Sequence, residues 1–298
     1  MKSYFSTNRV LAWTIAAVAI ATIFFACKKE VTTDTAGANE NDNNTLLVAS
    51  HETQINAIYG DMFTSMAIIA KSQGQVNTGR QASFTEDYAN QLACPSVIIS
   101  STDVNVWPKR ISVDYGDACK DNFGVTRSGK LIIYMSGRLF TPNARIGIHT
   151  ENYKYNGIPV SGKDSIYDIT LDLTSGVQYT TEITGGKVSY GDSLIVGYNS
   201  KKTVKQVQGI GSPTPDDDTY NITGSASLSY EKGGPAGSAT IATLSPLLKA
   251  AACAWISQGQ LKVEFNSISA VIDYGNGVCD NKATIVVNSD KVKEISLK

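Results

Sequence analysis

Two segments with the same layout constrain the fold of this chain more than any other feature. The first covers residues 94–119, CPSVIISSTDVNVWPKRISVDYGDAC, and the second covers residues 253–279, CAWISQGQLKVEFNSISAVIDYGNGVC. Both contain Asp-Tyr-Gly, whose Asp lies 20 positions after the first cysteine, at Asp114 and Asp273. Two apolar runs surround a polar centre in each segment. Each is therefore predicted to be a β-hairpin with a cysteine near both free ends.

The rest of the chain after residue 75 also has the texture of β-structure. Runs rich in Val, Ile, Thr and Tyr alternate with Gly, Asn, Asp and Ser, and they predict strands at 130–140, 145–153, 165–173, 177–184 and 194–198. Turn residues at intervals of about 8–12 positions are typical of an antiparallel meander, a sandwich or an open barrel. We expect the two hairpins to bracket this meander in one closed architecture, a single disulfide-stapled β domain over residues 75–298.

Several short segments between the runs are interpreted as turns or loops. Asn156-Gly157 predicts a tight hairpin turn, because this pair readily adopts positive φ values. Gly185-Gly186 and Gly233-Gly234 are also interpreted as turns, and residues 246–252 as a short helical turn. The acidic run 216–218 follows two prolines and is predicted to be a solvated loop.

One amphipathic helix is predicted ahead of the β region, over residues 46–74. Its apolar residues recur at spacings of three and four, at Ile55, Ile58, Met62, Met66 and Ile69. Ser50 is the candidate N-cap and Gly74 the candidate stop. We expect the apolar stripe to pack on the sheet, and docking to a partner protein is the alternative.

The first 26 residues have the layout of an export signal. Lys2 and Arg9 supply a basic start, and the uncharged run VLAWTIAAVAIATIFFA follows over residues 10–26. This run has 17 residues, at the lower limit of about 17–25 for a helix that crosses a bilayer. A signal peptide is the preferred interpretation, and an uncleaved anchor is the alternative.

The end of this segment, Phe24-Phe25-Ala26-Cys27, resembles a lipobox. The resemblance implies that Cys27 is lipidated and that the fatty acyl chains hold the protein to a membrane. Lys28 follows Cys27 in place of an acidic residue, which favours the outer membrane, on its periplasmic or cell-surface face. Residues 27–45 are then the lipidated N-terminus and a flexible tether.

Four other cysteines remain: Cys94, Cys119, Cys253 and Cys279. Four cysteines permit three disulfide pairings. We favour Cys94 with Cys119 and Cys253 with Cys279, because the repeat makes each pair a local unit and export leads to an oxidising compartment. Bridges between the repeats and free thiols stay open as alternatives.

Charge and motifs argue against several classes of function. The formal net charge is −1, so no basic surface for nucleic acid is expected. The two histidines, His51 and His149, form no metal-binding cluster in the sequence, and no Gly-x-Ser-x-Gly motif supplies a nucleophile for His149. We therefore predict no catalytic residue, no metal site and no cofactor.

Two sets of acidic residues are weaker candidates for a site. The first set could hold calcium, but Asp before Gly more commonly caps a turn: Asp114, Asp117, Asp121, Asp273 and Asp280. The second set, Asp168, Asp172 and Glu182, lies on predicted strands and could contain the paired carboxylates of a glycosidase. We prefer turn capping for the first set and solvent exposure for the second.

Aromatic residues offer a further indication of binding. Tyrosines recur along the central strands at Tyr153, Tyr155, Tyr167, Tyr179, Tyr190 and Tyr198. Trp107 and Trp255 flank the hairpins. An exposed row of tyrosines could stack on sugars or contact a partner protein. Because tyrosine is also favoured in strands for packing alone, packing is the preferred interpretation.

Three stretches of sequence, WPKRISVDYGDAC, RSGKLII and the terminal CAWISQG with DYGNGVCDNKAT, are informative together. They resemble a family of uncharacterised lipoproteins from Bacteroidota, over residues 94–298. The resemblance implies an envelope location and a β fold, and it transfers no catalytic residue. The expected function is a non-catalytic structural or binding role, with a glycan or an envelope protein as partner. A glycan-active surface enzyme and a carrier of an apolar ligand are the alternatives.

Overall fold

A computed structural model describes residues 40–76, 94–103, 105–121, 124–212, 217–253, 255–266, 268–288 and 291–297. These residues form one long helix and a series of strands. The elements are α1 (Glu40–Ser72), β1 (Ser96–Ile99), β2 (Lys109–Asp114), β3 (Cys119–Lys120), β4 (Thr126–Met135), β5 (Ile146–Tyr155), β6 (Ile158–Asp172), β7 (Gly176–Tyr190), β8 (Leu194–Gln208), β9 (Thr219–Lys232), β10 (Ser238–Ala250), β11 (Gln258–Phe265), β12 (Ile268–Asn276), β13 (Lys282–Val287) and β14 (Lys291–Ser296).

The strands form a single antiparallel sheet in which nearly every strand pairs with its neighbours in the sequence. The order is β1-β2-β4-β5 and then consecutively to β14, and the short β3 pairs with β4. The predicted antiparallel meander with one N-terminal helix is therefore confirmed. The expected closed architecture is wrong, because the sheet is open, with β1 and β14 at its edges.

Buried and exposed residues alternate along the strands. We call the face of the sheet toward α1 the inner face and the opposite face the outer face. In β11, Leu261, Val263 and Phe265 are buried, and Lys262 and Glu264 point outward. Side chains of β2 to β13 join those of the helix in one apolar core. The physical basis is the strand period of two, which sends every second residue to the same face.

The helix begins earlier than its predicted cap. It starts at Glu40, and Ser50 is an exposed residue within it, so the N-cap interpretation of Ser50 is wrong. The helix continues upstream because Val48 and Ala49 are buried and extend its apolar side. Gly74 is confirmed as the stop: its φ is 67°, and its N–H donates to the carbonyl of Lys71 at 2.9 Å. No helix in the described ranges is both long and apolar enough to cross a membrane.

The sheet contacts the helix on three sides. Tyr274 of β12 lies beside Thr53, Tyr59 donates a hydrogen bond to the β6 residue Ser161, and Tyr115, directly after β2, lies beside Ser65. At 3.6 residues per turn, positions 53, 59 and 65 are about 120° apart around the helix axis. The sheet therefore curves around α1. The exposed stripe of the helix, Asn43, Ser50, Ala57 and Thr64, faces the opening between the two ends of the sheet.

The favoured disulfide pairing is confirmed. Cys94 bonds to Cys119 and Cys253 to Cys279, with Cα separations of 5.6 and 5.8 Å. Each bond joins the two ends of a predicted hairpin, β1–β2 in the first repeat and β11–β12 in the second. The two hairpins lie toward opposite ends of the sheet and bracket the meander, as expected.

The Asp-Tyr-Gly residues have the same local structure in both repeats. The N–H of Gly116 donates to Asp114 Oδ1 at 2.9 Å, and the N–H of Gly275 donates to Asp273 Oδ1 at 2.8 Å. Both glycines have positive φ, which explains the residue type. The tyrosine between them is buried against α1 in each repeat. The repeated motif therefore lies at the end of a hairpin strand and places its tyrosine against the helix.

Several smaller predictions can now be compared with the structure. Asn156-Gly157 forms the predicted turn between β5 and β6, and Gly233-Gly234 lies in the bend between β9 and β10. Gly185-Gly186 is not a turn but a bulge within β7, where the pairing register with β8 shifts. Glycine is needed at position 186 because a side chain there would collide with the helix residue Tyr59. The helical turn predicted for 246–252 is also wrong, since residues 246–250 belong to β10 and residues 247–250 pair with β9.

Candidate functional site

The inner face of the sheet is filled by α1, including its polar side chains. Arg127 of β4 is buried and bonds through two nitrogens to the helix residue Asp61, at 2.9 and 2.5 Å, and through its third to Asp121, at 2.8 Å. Burial raises the pKa of Asp61, and the hydrogen bond from Arg127 opposes this effect. Removing one partner would leave a buried charge uncompensated, so this triad fixes the position of the helix.

A second polar cluster joins the first half of α1 to β8. Lys202 donates to Asn56 Oδ1 at 2.8 Å and lies 3.3 Å from Glu52 Oε1, which also accepts a hydrogen bond from Tyr198. Burial and the nearby Glu52 carboxylate raise the pKa of Tyr198, so its hydroxyl stays protonated. Asn56 and one carboxylate oxygen of Glu52 are therefore paired with groups on the sheet, as burial favours.

His51 is also part of the inner packing and is not a surface group. Its Nδ1 is hydrogen-bonded to Tyr230 Oη at 2.9 Å, and its ring stacks on Tyr190 at 5.3 Å. Burial lowers the pKa of His51 to about 4, so the ring is neutral at physiological pH. The contacts account for this histidine as a structural residue.

Most of the recurring tyrosines face the helix. Tyr153, Tyr179 and Tyr198 are buried, and Tyr155 and Tyr190 pack against the core. Packing, the preferred interpretation, therefore accounts for five of the six. Tyr167 is the exception, because its ring lies on the outer face. A bulge at Asp168, where φ is 52°, reverses the alternation, so Ile169 turns inward.

The acidic candidates are mostly engaged in local contacts. Asp114 pairs with Lys130 at 2.8 Å, and the hydrogen bond from Lys130 lowers the pKa of Asp114. Asp273 accepts a hydrogen bond from Gln260, and Asp280 caps the turn before β13. Among the described residues, no group of three His, Cys, Asp or Glu side chains could hold a metal ion.

Two further acidic predictions have different outcomes. Asp218 was expected in a solvated loop, but it is buried and accepts hydrogen bonds from Gln206 at 2.6 Å and Tyr220 at 2.8 Å. Asp218 turns inward because these two neighbours on β8 and β9 provide polar partners, whereas Asp217 before it is exposed. Asp216 lies outside the described residues, as does Cys27.

One of the carboxylate pairs considered for a glycosidase, Asp172 with Glu182, is separated along the strands. Asp172 caps the β6–β7 turn, and hydrogen bonds from Thr174 and Ser175 lower its pKa to about 2. Glu182 pairs instead with Ser165, seven residues before Asp172 on β6. At about 3.3 Å per residue these carboxylates are about 20 Å apart, more than the 5–9.5 Å of glycosidase pairs.

An open groove of about 400 Å³ lies on the outer face across β4, β5 and β6. We call it the outer-face groove and define it by Tyr134, Arg145, Gly147, His149, Lys163 and Tyr167. Gly147 forms the floor of the groove. A Cβ added to this residue would approach only atoms of His149 and Lys163, at 3.9 and 4.0 Å, so the space above it is open. The missing side chain of one glycine thus opens a groove in an otherwise covered sheet.

Aromatic rings stand on both sides of this floor. Tyr134 and His149 contact each other edge to face at 5.7 Å, and Tyr134 is 47% exposed. Across the groove, the ring of Tyr167 lies 5.5 Å from the Arg145 guanidinium and 5.7 Å from Lys201 Nζ. Tyr167 also donates a 2.6 Å hydrogen bond to Glu182. The groove therefore combines apolar ring surfaces with cations and hydrogen-bonding groups, a common composition of ligand sites.

The sequence indicates His149 and Tyr167 of the groove, and Glu182, which is hydrogen-bonded to Tyr167 beside it, but it does not indicate the other groove residues. Alternation along 130–140 could have placed Tyr134 opposite the buried Ile133. The alignment of Tyr134 with Gly147, and of Gly147 with Ser165, depends on the pairing register. No pattern within a single strand contains that information.

Comparison with known proteins adds no relative to this picture. No family model matches the chain, and searches of curated proteins and of solved structures found no match. The functional argument therefore depends on the geometry of the site and on the sequence.

Proposed function

We propose that the protein is a lipoprotein of the bacterial outer membrane, anchored through Cys27, that binds a ligand in the outer-face groove without catalysing a reaction. The export-type layout of residues 1–26 and the lipobox-like sequence before Cys27 support the location. The resemblance to Bacteroidota lipoproteins supports the same location. Two disulfides are consistent with an oxidising compartment.

The observation that carries the binding proposal is the occupation of the inner face by α1. A curved sheet could hold a ligand on its inner side, but Tyr59, Met62 and Met66 of the helix fill that space. A ligand site is then expected on the outer face, where Gly147 opens the groove between exposed rings. The same observation disfavours a carrier of an apolar ligand, and the separation of Asp172 from Glu182 removes one of the carboxylate pairs that a glycosidase could use.

Lipid anchoring can be tested in the native host. Intact-mass and peptide analysis of the purified protein is expected to find a new N-terminus at Cys27 with fatty acyl groups attached. Cys27→Ala should remain uncleaved or leave the membrane fraction. Recovery of Met1 with an unmodified Cys27 in the wild-type protein would show that the anchoring proposal is wrong.

Binding can be tested by filling the groove with a bulky side chain while every polar residue of the groove is kept. Full-length protein in detergent is screened against immobilised glycans, and Gly147→Phe is expected to lose the signals that the wild type gives. Ala242→Phe adds the same ring to an exposed position on β10, outside the groove, and should retain them. Equal binding by wild type and Gly147→Phe, or no binding by the wild type, would contradict this use of the groove.

A further inference from the structure

We infer that the ligand of the outer-face groove is an acidic oligosaccharide, a linear sugar chain that carries carboxylate or sulfate groups. This inference rests on the proposed function, and it adds the chemical class of the ligand. It depends on three features of the outer face: the row of side chains that crosses the strands, the excess of cations along it, and the rings beside the glycine floor.

The row follows directly from the strand register. Consecutive pairings connect one outer-face residue on each of six neighbouring strands, and the row is Arg110, Tyr134, Gly147, Ser165, Glu182 and Lys201. Strands are about 4.8 Å apart, so the row is about 24 Å long. A surface of this length suits an extended chain better than a single small headgroup. An extended peptide would more commonly add to a sheet edge through backbone hydrogen bonds.

Cations outnumber acids along this row. Arg110 and Lys201 lie at its two ends, and Arg145 and Lys163 lie beside its centre. The acids are Glu182, which accepts the hydrogen bond from Tyr167, and the exposed Asp168. The hydrogen bond with Tyr167 and the charges of Glu182 and Asp168 raise the pKa of Lys201, so both acids lie near that lysine. Charge complementarity therefore favours an anionic ligand with its charges spread along the row.

The lining between the cations fits a sugar. Tyr134 and His149 present ring surface and polar atoms together, and Ser165 adds a hydroxyl. Sugar rings offer apolar C–H faces together with hydroxyl groups, so they can use both kinds of surface at once. The contacts of Tyr167 with Arg145 and Lys201 hold both cations at the groove edge, where they can donate to a carboxylate or sulfate.

The test compares the charged and the neutral form of the same sugar chain. Full-length protein in detergent is titrated with hexagalacturonate and with its methyl ester, and with dextran sulfate and unmodified dextran. The wild type is expected to bind at least one charged form about tenfold or more tightly than its neutral partner, with affinity falling as salt increases. Lys163→Gln and Arg145→Gln should each weaken that binding by about tenfold. Lys262→Gln, on the outward face of β11 beyond the row, is the matched control and should bind as the wild type does.

The remaining outcomes separate this inference from the proposed function. Equal binding of neutral and charged forms, still abolished by Gly147→Phe, would overturn the acidic class and leave the groove as a binding site. Binding of poly-L-glutamate as tight as that of the charged glycan would overturn the sugar class. No binding of any glycan by the wild type would overturn both.

Discussion

Asp164 provides the sharpest test of how the inner face is built. It lies on β6 and is 2% exposed, and the groups that contact its carboxylate are the Thr181 hydroxyl, at 2.9 Å, and the backbone N–H of Ser165. Burial raises the pKa of Asp164 from 3.8 to about 6, because these hydrogen bonds only partly offset the loss of hydration. Asp164→Asn removes the charge and keeps the shape.

The size and sign of the effect of Asp164 on stability follow from the linkage between proton binding and folding. Below pH 3.8 the carboxyl is protonated in both the folded and the unfolded chain, and it causes no pH dependence. Between pH 3.8 and about 6 the folded chain holds the proton and the unfolded chain does not, so stability falls as the pH rises. A pKa change of this size corresponds to about 3 kcal/mol, fully expressed above about pH 6.

The assay is urea unfolding of full-length protein in detergent, measured across this pH range for the wild type and Asp164→Asn. The difference between their free energies of unfolding should shift in favour of the variant by about 2–3 kcal/mol from about pH 3.5 to pH 7. Other titrating groups are common to both proteins and cancel.

A flat difference for Asp164→Asn would refute the reasoning. It would mean that the carboxylate is hydrated or paired, contrary to its position against the helix.

Three further predictions concern the same architecture. Replacing the Cys94–Cys119 pair by serines should lower the free energy of unfolding by about 3–4 kcal/mol. Reductant also breaks Cys253–Cys279 and should lower it further in the wild type, and an unchanged urea midpoint of the serine variant would contradict the role of the bond. Gly186→Ala places a Cβ 2.5 Å from Tyr59 Oη and should lower the stability measured by thermal unfolding by about 2–4 kcal/mol. Gly60→Ala, at a helix position with open space around it, should be neutral or stabilising, and similar effects of the two variants would be inconsistent with the packing. Because the pKa of His51 is lowered to about 4, wild-type stability should fall as the pH drops from 6.5 toward 4, and His51→Gln should reduce this acid sensitivity in the same urea assay; an unreduced sensitivity would count against it.

Local patterns were sufficient for those parts of the fold that depend on neighbouring residues. The repeat predicted both disulfides because each bond spans a single hairpin, and Asn156-Gly157 predicted its turn because those residue types tolerate positive φ. Periodicity predicted α1, although Ser50 gave a false start, because an N-cap residue type also occurs within helices that are held by tertiary packing.

The features that sequence could not supply depend on long-range geometry. A single bulge at Asp168 sends Tyr167 outward and Ile169 inward, although alternation alone would place both on one face. The groove arises only because the register aligns Tyr134 with Gly147 and Gly147 with Ser165. A change of one residue in either register would close the groove or move its rings to the inner face.

The two repeats also explain how the sheet curves around the helix. Tyr115, directly after β2, and Tyr274 of β12 attach two distant parts of the sheet to opposite flanks of α1, and a disulfide stabilises the hairpin next to each tyrosine. Because both tyrosines hold the sheet against the same helix, the sheet must bend between β2 and β12. The duplicated motif therefore sets the curvature of this part of the sheet and leaves its outer face available for binding.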